Sequence, residues 1–330
     1  MSTQQSKQTV AAQLEALSTD GVHLDLPQLL QYQHHTYLLD LAPKQVIQSK
    51  LAGSYLARSK GRGMEFDEVR HYQPGDDVRT IDWRVTARTG KVHTKLFREE
   101  KERPVFVLTD LSPGMHFGSV LLTKAVQAAH LAALVGWHAK NRGDKFGGIL
   151  FNGSQIRELK PASRSVAVLR YLQQLLELGI PAKAPATTQY SLAEAVGQLR
   201  RLVRPGSLIY IISDFFALDG NVMRHLQSMR QHNEIRLCQI LDPLEQQLPM
   251  QVQGQLRVQS TQEVLQLDLT PQAIKQQYQQ QQQQLLQQQQ TFWRSLGLRH
   301  VQISTALPLR QQLSSTDAPS GMMTQGAAHG

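Results

Sequence analysis

Two short stretches carry residues able to do chemistry, and each sits at the end of an apolar run. Val105-Phe106-Val107-Leu108-Thr109 leads into Asp110-Leu111-Ser112, and Leu208-Ile209-Tyr210-Ile211-Ile212 leads into Ser213-Asp214. Each run therefore delivers a carboxylate and a hydroxyl. Further hydroxyls at Thr187, Thr188 and Ser191 lie on the chain between them. Carboxylates and hydroxyls on loops suit a hard cation such as Mg²⁺, which takes few protein ligands and keeps several waters. The alternative reading needs no metal, with Asp110 and Asp214 accepting hydrogen bonds from backbone amides at a sheet edge. A carboxylate with neither arrangement is costly to bury.

Several other chemistries are excluded by what the sequence lacks. It contains no Gly-x-x-x-x-Gly-Lys-Ser/Thr phosphate loop, no Gly-x-Ser-x-Gly elbow and no His-Glu-x-x-His pair. The single cysteine, Cys238, lies in the strand-like run Ile235 to Leu241, so a thiolate zinc site and an intrachain disulfide are both ruled out. It reads as a packed thiol, and His34 and His35 read as helix surface.

The positioning elements follow from periodicity. The run around Val105 is apolar at successive positions and closes at Pro113-Gly114, the pattern of a strand buried on both faces of a mainly parallel sheet. Its carboxyl end then faces the crevice where open α/β sheets bind ligands. Ser119 is expected to cap a helix reaching Gly143, and Lys145 to Phe151 to form a strand turning at Asn152-Gly153 into a hairpin. Helices are expected over Ser163 to Leu178, Ser191 to Val203 and Asp219 to Gln231, with strands at Leu208 to Asp214 and Ile235 to Leu241. This alternation gives an α/β fold built of right-handed crossover units.

The flanks differ in character. Residues 1–20 read as disordered, and two helices are expected between Pro27 and Ser59. Residues 64–102 read as a small β-rich module. Its charge is balanced, with eight acids and eight bases over residues 61–100, which reads equally as a salt-bridged clasp fixing the module to the next domain and as a partner-binding surface of Asp82, Trp83 and Arg84. Beyond Pro249 come two short strands and a helix in which 12 of the 15 residues from Gln276 to Gln290 are Gln. A last strand is expected at Arg299 to Ser304, and residues 314–330 read as a flexible tail.

Apolar residues make up 41% of the 330-residue chain and charged residues 18%, a globular balance. No run approaches the roughly 18 consecutive apolar residues of a membrane span, and Met1 to Gln13 lacks the apolar segment of a secretory signal. The expected compartment is the cytoplasm. The formal net charge of +9 is concentrated in residues 101–214, with 14 bases against 7 acids. Its two clusters, Lys140-Arg142-Lys145 and Arg200-Arg201-Arg204, fall near helix ends, where cations favour the dipole. With no aromatic-interleaved RNA motif beside them, they read as solvated surface rather than a nucleic-acid site.

The start Asp110-Leu-Ser112-Pro-Gly114-Met and the strand ending Ser213-Asp214-Phe215 resemble a von Willebrand factor A domain. The segment Glu65 to Gly90, with Asp242-Pro-Leu-Glu245, resembles the bacterial family called domain of unknown function 58. That resemblance, over roughly Leu51 to Pro249, implies a von Willebrand A-like α/β fold. It also implies work beside an AAA+ ATPase of the MoxR class in chaperone-like assembly or maturation of a client protein. The parent fold's metal motif is Asp-x-Ser-x-Ser, then Thr, then Asp. Asp110, Ser112 and Asp214 match it, Gly114 replaces the second Ser, and Ser191 stands nearest the Thr. The resemblance thus implies a degenerate Mg²⁺ site at which a partner's acidic group completes the coordination, in a non-enzymatic adaptor. The competing expectation is a metal-dependent hydrolase or nuclease using Asp110 and Asp214.

Overall fold

The computed structural model describes residues 3–40, 64–73, 76, 78–99, 102–180, 190–216, 218–249, 254–259 and 264–313. The helix expected over Lys44 to Ser59, the Pro74-Gly75 turn, the hydroxyls of Thr187 and Thr188 and the tail 314–330 lie outside these residues. Two compact units emerge: Met1–Pro43 with Arg103–Gly330, and Lys44–Glu102.

Along the chain the first helices are α1 (Thr3–Ala16), α2 (Leu26–Leu30) and α3 (Tyr37–Asp40). The smaller unit then contributes β1 (Met64–His71), α4 (Trp83–Thr89) and β2 (His93–Glu99). The larger unit resumes with β3 (Pro104–Asp110), α5 (Lys124–Asn141), β4 (Lys145–Phe151), β5 (Ile156–Ala162), α6 (Ser165–Leu178) and α7 (Leu192–Leu202). It continues through β6 (Leu208–Ser213), α8 (Gly220–Arg230), β7 (Glu234–Leu241), α9 (Pro243–Gln246), β8 (Gln255–Gln259) and β9 (Val264–Asp268). It ends with α10 (Gln272–Ser295), β10 (Arg299–Ser304) and α11 (Leu309–Leu313).

The main sheet has six strands in the order β10-β7-β6-β3-β4-β5. All neighbours are parallel except β4 and β5, which form the hairpin expected at Asn152-Gly153. Read from β5, the strands come in the sequence 3-2-1-4-5-6 within this unit, so chain direction across the sheet reverses between β3 and β6. That is the switch point at which doubly wound sheets open a crevice. The α/β class with a mainly parallel sheet flanked by helices, expected from the sequence, is the one observed.

Period-two alternation explains why β3 is apolar throughout. Val105 and Val107 pack into the core on the α5 and α6 face, whereas Phe106 and Leu108 pack on the α7, α8 and α10 face. Helix α5 is buried along nearly its whole length, as a helix apolar all round must be. Part of its cover is Leu29 and Tyr32, and Trp137 Nε1 donates to Leu29 O at 3.3 Å.

Four expectations are corrected. Residues 3–16 are helical, because Val10, Leu14 and Leu17 pack against Leu121, Leu122 and Val126. The cap of α5 is Thr123, whose side chain accepts from Val126 N, and not Ser119. In the smaller unit the stretch after Asp82 is helix α4 rather than strand. Asp82 accepts from Arg84 N and Val85 N, and Gly90 at φ +70° closes the last turn. Finally, the sheet does not end near Pro249: β10 adds a sixth strand beside β7, and Trp293 at the end of α10 is fully buried in the core.

Candidate functional site

Adjacent parallel strands β3 and β6 pair Thr109 with Ile212, so Asp110 and the Ser213-Asp214 pair leave the same edge of the sheet at its switch point. Asp110 is buried and both its oxygens are engaged. Oδ1 accepts from Ser112 N at 2.9 Å and Oδ2 from Ser213 Oγ at 2.6 Å. Burial raises its pKa to about 6, helped by the nearby negative charge of Asp214, while the bonds from Ser112 and Ser213 pull the other way.

The chain after β6 is shaped to present Asp214. Phe215 adopts φ +55°, an uncommon conformation for a bulky side chain, and is fully buried edge-on to Trp293 at 5.7 Å. That turn points Phe216 outward, where it is 92% exposed, while its backbone N donates to Asp214 Oδ1 at 3.0 Å.

Asp214 Oδ2 meets a group that sequence reasoning missed. Lys124, the first residue of α5, is buried with 2% of its side chain exposed, and its Nζ donates to Asp214 Oδ2 at 2.8 Å and to Glu245 Oε1 at 2.5 Å. Burial alone would lower the ammonium's pKa, yet the two carboxylates outweigh it and hold the value above normal. A cation at the first turn of a helix also faces the positive end of the dipole, so both unfavourable terms are offset by Asp214 and Glu245. The signal was present in the sequence as one lysine amid Leu121-Leu122-Thr123-Lys124-Ala125-Val126.

Glu245 is held in turn by Asp242. The two form a reciprocal capping box on α9, and the buried Asp242 also accepts from Ser119 N, Ser119 Oγ and Thr305 Oγ1 at 2.8, 2.5 and 2.6 Å. Loops after β3, β6, β7 and β10 are thereby joined by hydrogen bonds at one edge. Gln239 of β7 extends the network, donating to Asp214 O at 3.1 Å and to Gln289 Oε1 of α10 at 3.0 Å.

The expected metal donors are placed as follows. Asp110, Ser112, Ser213 and Asp214 come together. Gly114 faces Asp214, since a Cβ there would lie 3.7 Å from Asp214 Oδ2, but it offers no oxygen. Ser191 is engaged elsewhere, in a capping box with Glu194 on α7. One motif oxygen is thus missing, another candidate is committed, and an ammonium already occupies the Asp214 carboxylate. This donor set does not fit a hydrated Mg²⁺.

The second predicted surface lies in the smaller unit. Trp83 is 69% exposed at the start of α4, with Arg84 exposed beside it, and Asp82 serves as the helix cap. Arg70 pairs with Asp76 at 2.7 Å within this unit. Of the basic clusters, Arg142 reaches Asp144 at 3.4 Å and Arg200 and Arg201 end α7. Among the described residues no helix is long and apolar enough to cross a membrane.

Comparison with known proteins gives three kinds of match. Uncharacterized proteins of Mycobacterium bovis and of two strains of Mycobacterium tuberculosis are each 32% identical over 211 residues, 64% of this chain. The match spans 65% of the length of each of these curated relatives. Among solved structures, BatB, a conserved hypothetical protein from Bacteroides thetaiotaomicron, aligns with TM-score 0.41 and 15% identity over 65% of this chain and 95% of that one. An aerotolerance-related membrane protein from Bacteroides fragilis aligns with TM-score 0.42 and 16% identity over 64% of this chain and 96% of that one. The SpRpn10 von Willebrand A domain aligns with TM-score 0.36 and 12% identity over 68% of this chain and the whole of that one. The family model described as protein of unknown function DUF58 matches residues 68–288, well over half the sequence, and the chain belongs to that family.

Proposed function

We propose that the protein is a non-enzymatic adaptor that docks a partner on the edge of the sheet around Asp214, in the cytoplasm, and that this partner is an AAA+ ATPase of the MoxR class. One observation carries the reading. The loops at the carboxyl ends of β3 and β6 hold a hydrogen-bonded charge cluster and beside it expose Phe117, Val120 and Phe216, the last almost wholly in solvent. Large apolar side chains rimming a fixed polar centre are the anatomy of a protein-binding patch. The hydrogen bonds of Asp110 and Asp214 go to groups of the edge itself, which supports a structural role for both carboxylates.

The ATPase class rests on the family resemblance in residues 65–90, and the client protein it assembles or matures is left open. The surface of Asp82, Trp83 and Arg84 is assigned to recognition of the same assembly, since an exposed tryptophan beside an arginine is a frequent interface anchor. Titration of the purified full chain with a purified MoxR-class ATPase from the same host tests the proposal. Saturable binding in the presence of nucleotide is the expected result, and absence of binding with or without nucleotide would refute it.

A further inference from the structure

We infer that the side chain of Lys124 supplies, within the chain, the positive charge that a divalent ion would bring to this sheet edge, so that the edge is assembled and functional without metal. Three observations carry the inference. Lys124 Nζ sits on Asp214 Oδ2, the carboxylate at the last position of the metal motif, and bridges it to Glu245. The middle of the motif has lost an oxygen at Gly114, the position whose Cβ would look at that same Asp214 oxygen. Asp110, the first motif residue, spends its two oxygens on Ser112 N and Ser213 Oγ.

The chemistry is coherent. Two carboxylates at the mouth of a crevice repel each other, and repulsion is relieved by a cation, whether a bound ion or a tethered ammonium. A tethered ammonium has no entry step and no dissociation constant, since it folds with the chain. It is bonded to two carboxylates and buried, with 2% of its side chain exposed, so it offers a partner's acidic group no open coordination position of the kind a metal ion would. The edge is therefore recognised as a preformed surface, and chelators or divalent ions do not switch it. This inference stands on the geometry of one side chain, and its test needs no partner protein, so it can fail while the adaptor reading survives.

The test is calorimetric titration of the chelator-treated full chain with Mg²⁺ and with Mn²⁺, alongside thermal unfolding with and without each ion. The wild-type chain is expected to show no saturable binding below millimolar ion and no shift in Tm. Lys124→Met, similar in size but uncharged, is expected to unfold roughly 10 °C lower because it strands two carboxylates, and to recover part of that loss when Mn²⁺ is added. Saturable micromolar Mg²⁺ or Mn²⁺ binding by the wild-type chain, with a rise in Tm, would overturn the inference. The wild-type titration decides even should the variant fail to fold.

Discussion

Lys124 Nζ lies 2.8 Å from Asp214 Oδ2, a bond that ties the start of one helix to the end of a strand 90 residues later. Because the ammonium also holds Glu245, it joins the β3, β6 and β7 loops into one piece. Replacing the buried Lys124 with Ala is expected to cost up to about 3–5 kcal/mol, the penalty for breaking a buried ion pair, lessened because the Asp214 and Glu245 side chains are 16% and 34% exposed to water. Chemical denaturation of wild type and variant measures it. A loss under about 1 kcal/mol, typical of an exposed pair, would show the bridge to be peripheral.

Asp110 gives the fold a pH signature. Its folded pKa of about 6 lies above the ordinary aspartate value of 3.8, so between these values the folded state binds the proton more tightly. Asp110 therefore destabilises the fold progressively as pH rises from about 4 to about 6, with a ceiling of about 3 kcal/mol. Asp110→Asn removes the ionisation. The stability difference between variant and wild type is expected to shift in the variant's favour across that window and to level off above it. A difference independent of pH would contradict the assignment.

His130 works in the opposite direction. Burial holds its pKa down to about 3 against an ordinary histidine value of 6.5, with Nε2 bonded to Gln28 Oε1 at 2.9 Å. The unfolded chain thus takes up the proton first. The stability associated with neutral His130 is complete above about pH 6.5 and is lost as pH falls toward 3. His130→Gln is expected to unfold over a lower pH range than wild type, read by circular dichroism during acid titration. An unchanged acid midpoint would show that other groups govern acid unfolding.

Trp293 anchors the Gln-rich helix to the larger unit's core. Its indole packs on Phe215 at 5.7 Å and is fully buried. Trp293→Ala is expected to cost roughly 3–5 kcal/mol and to loosen the Phe215 turn. A shortened chain ending at residue 249 is expected not to fold, because it would also lack β10. Cooperative unfolding of that shortened chain would contradict this.

Much of this was legible because apolar runs and caps are local signals. The strands carrying Asp110 and Asp214, the hairpin at Asn152-Gly153 and helices α6, α7 and α8 all follow from periodicity and their end residues. Helix α4 was missed because Val85, Thr86 and Thr89 favour strands, and the caps at Asp82 and Gly90 outweighed that preference. Helix α1 owes its order to partners distant in sequence, which no local pattern announces, whereas β10 was legible as a strand at Arg299 to Ser304 and only its place beside β7 was not. The same holds for the site. Its acids were visible as strand ends, whereas the ammonium between Asp214 and Glu245 became visible only when three loops were brought together.

The adaptor account is tested most directly at Phe216, whose side chain is 92% exposed and makes no contribution to the core. Binding of a MoxR-class ATPase from the same host should be compared for the wild-type full chain and Phe216→Ser, with thermal unfolding of both as the control. The account predicts unchanged unfolding and binding weakened by about tenfold or more, the loss of roughly 1.4 kcal/mol expected of an interface anchor. Equal binding by the two proteins, or none by either, would contradict it.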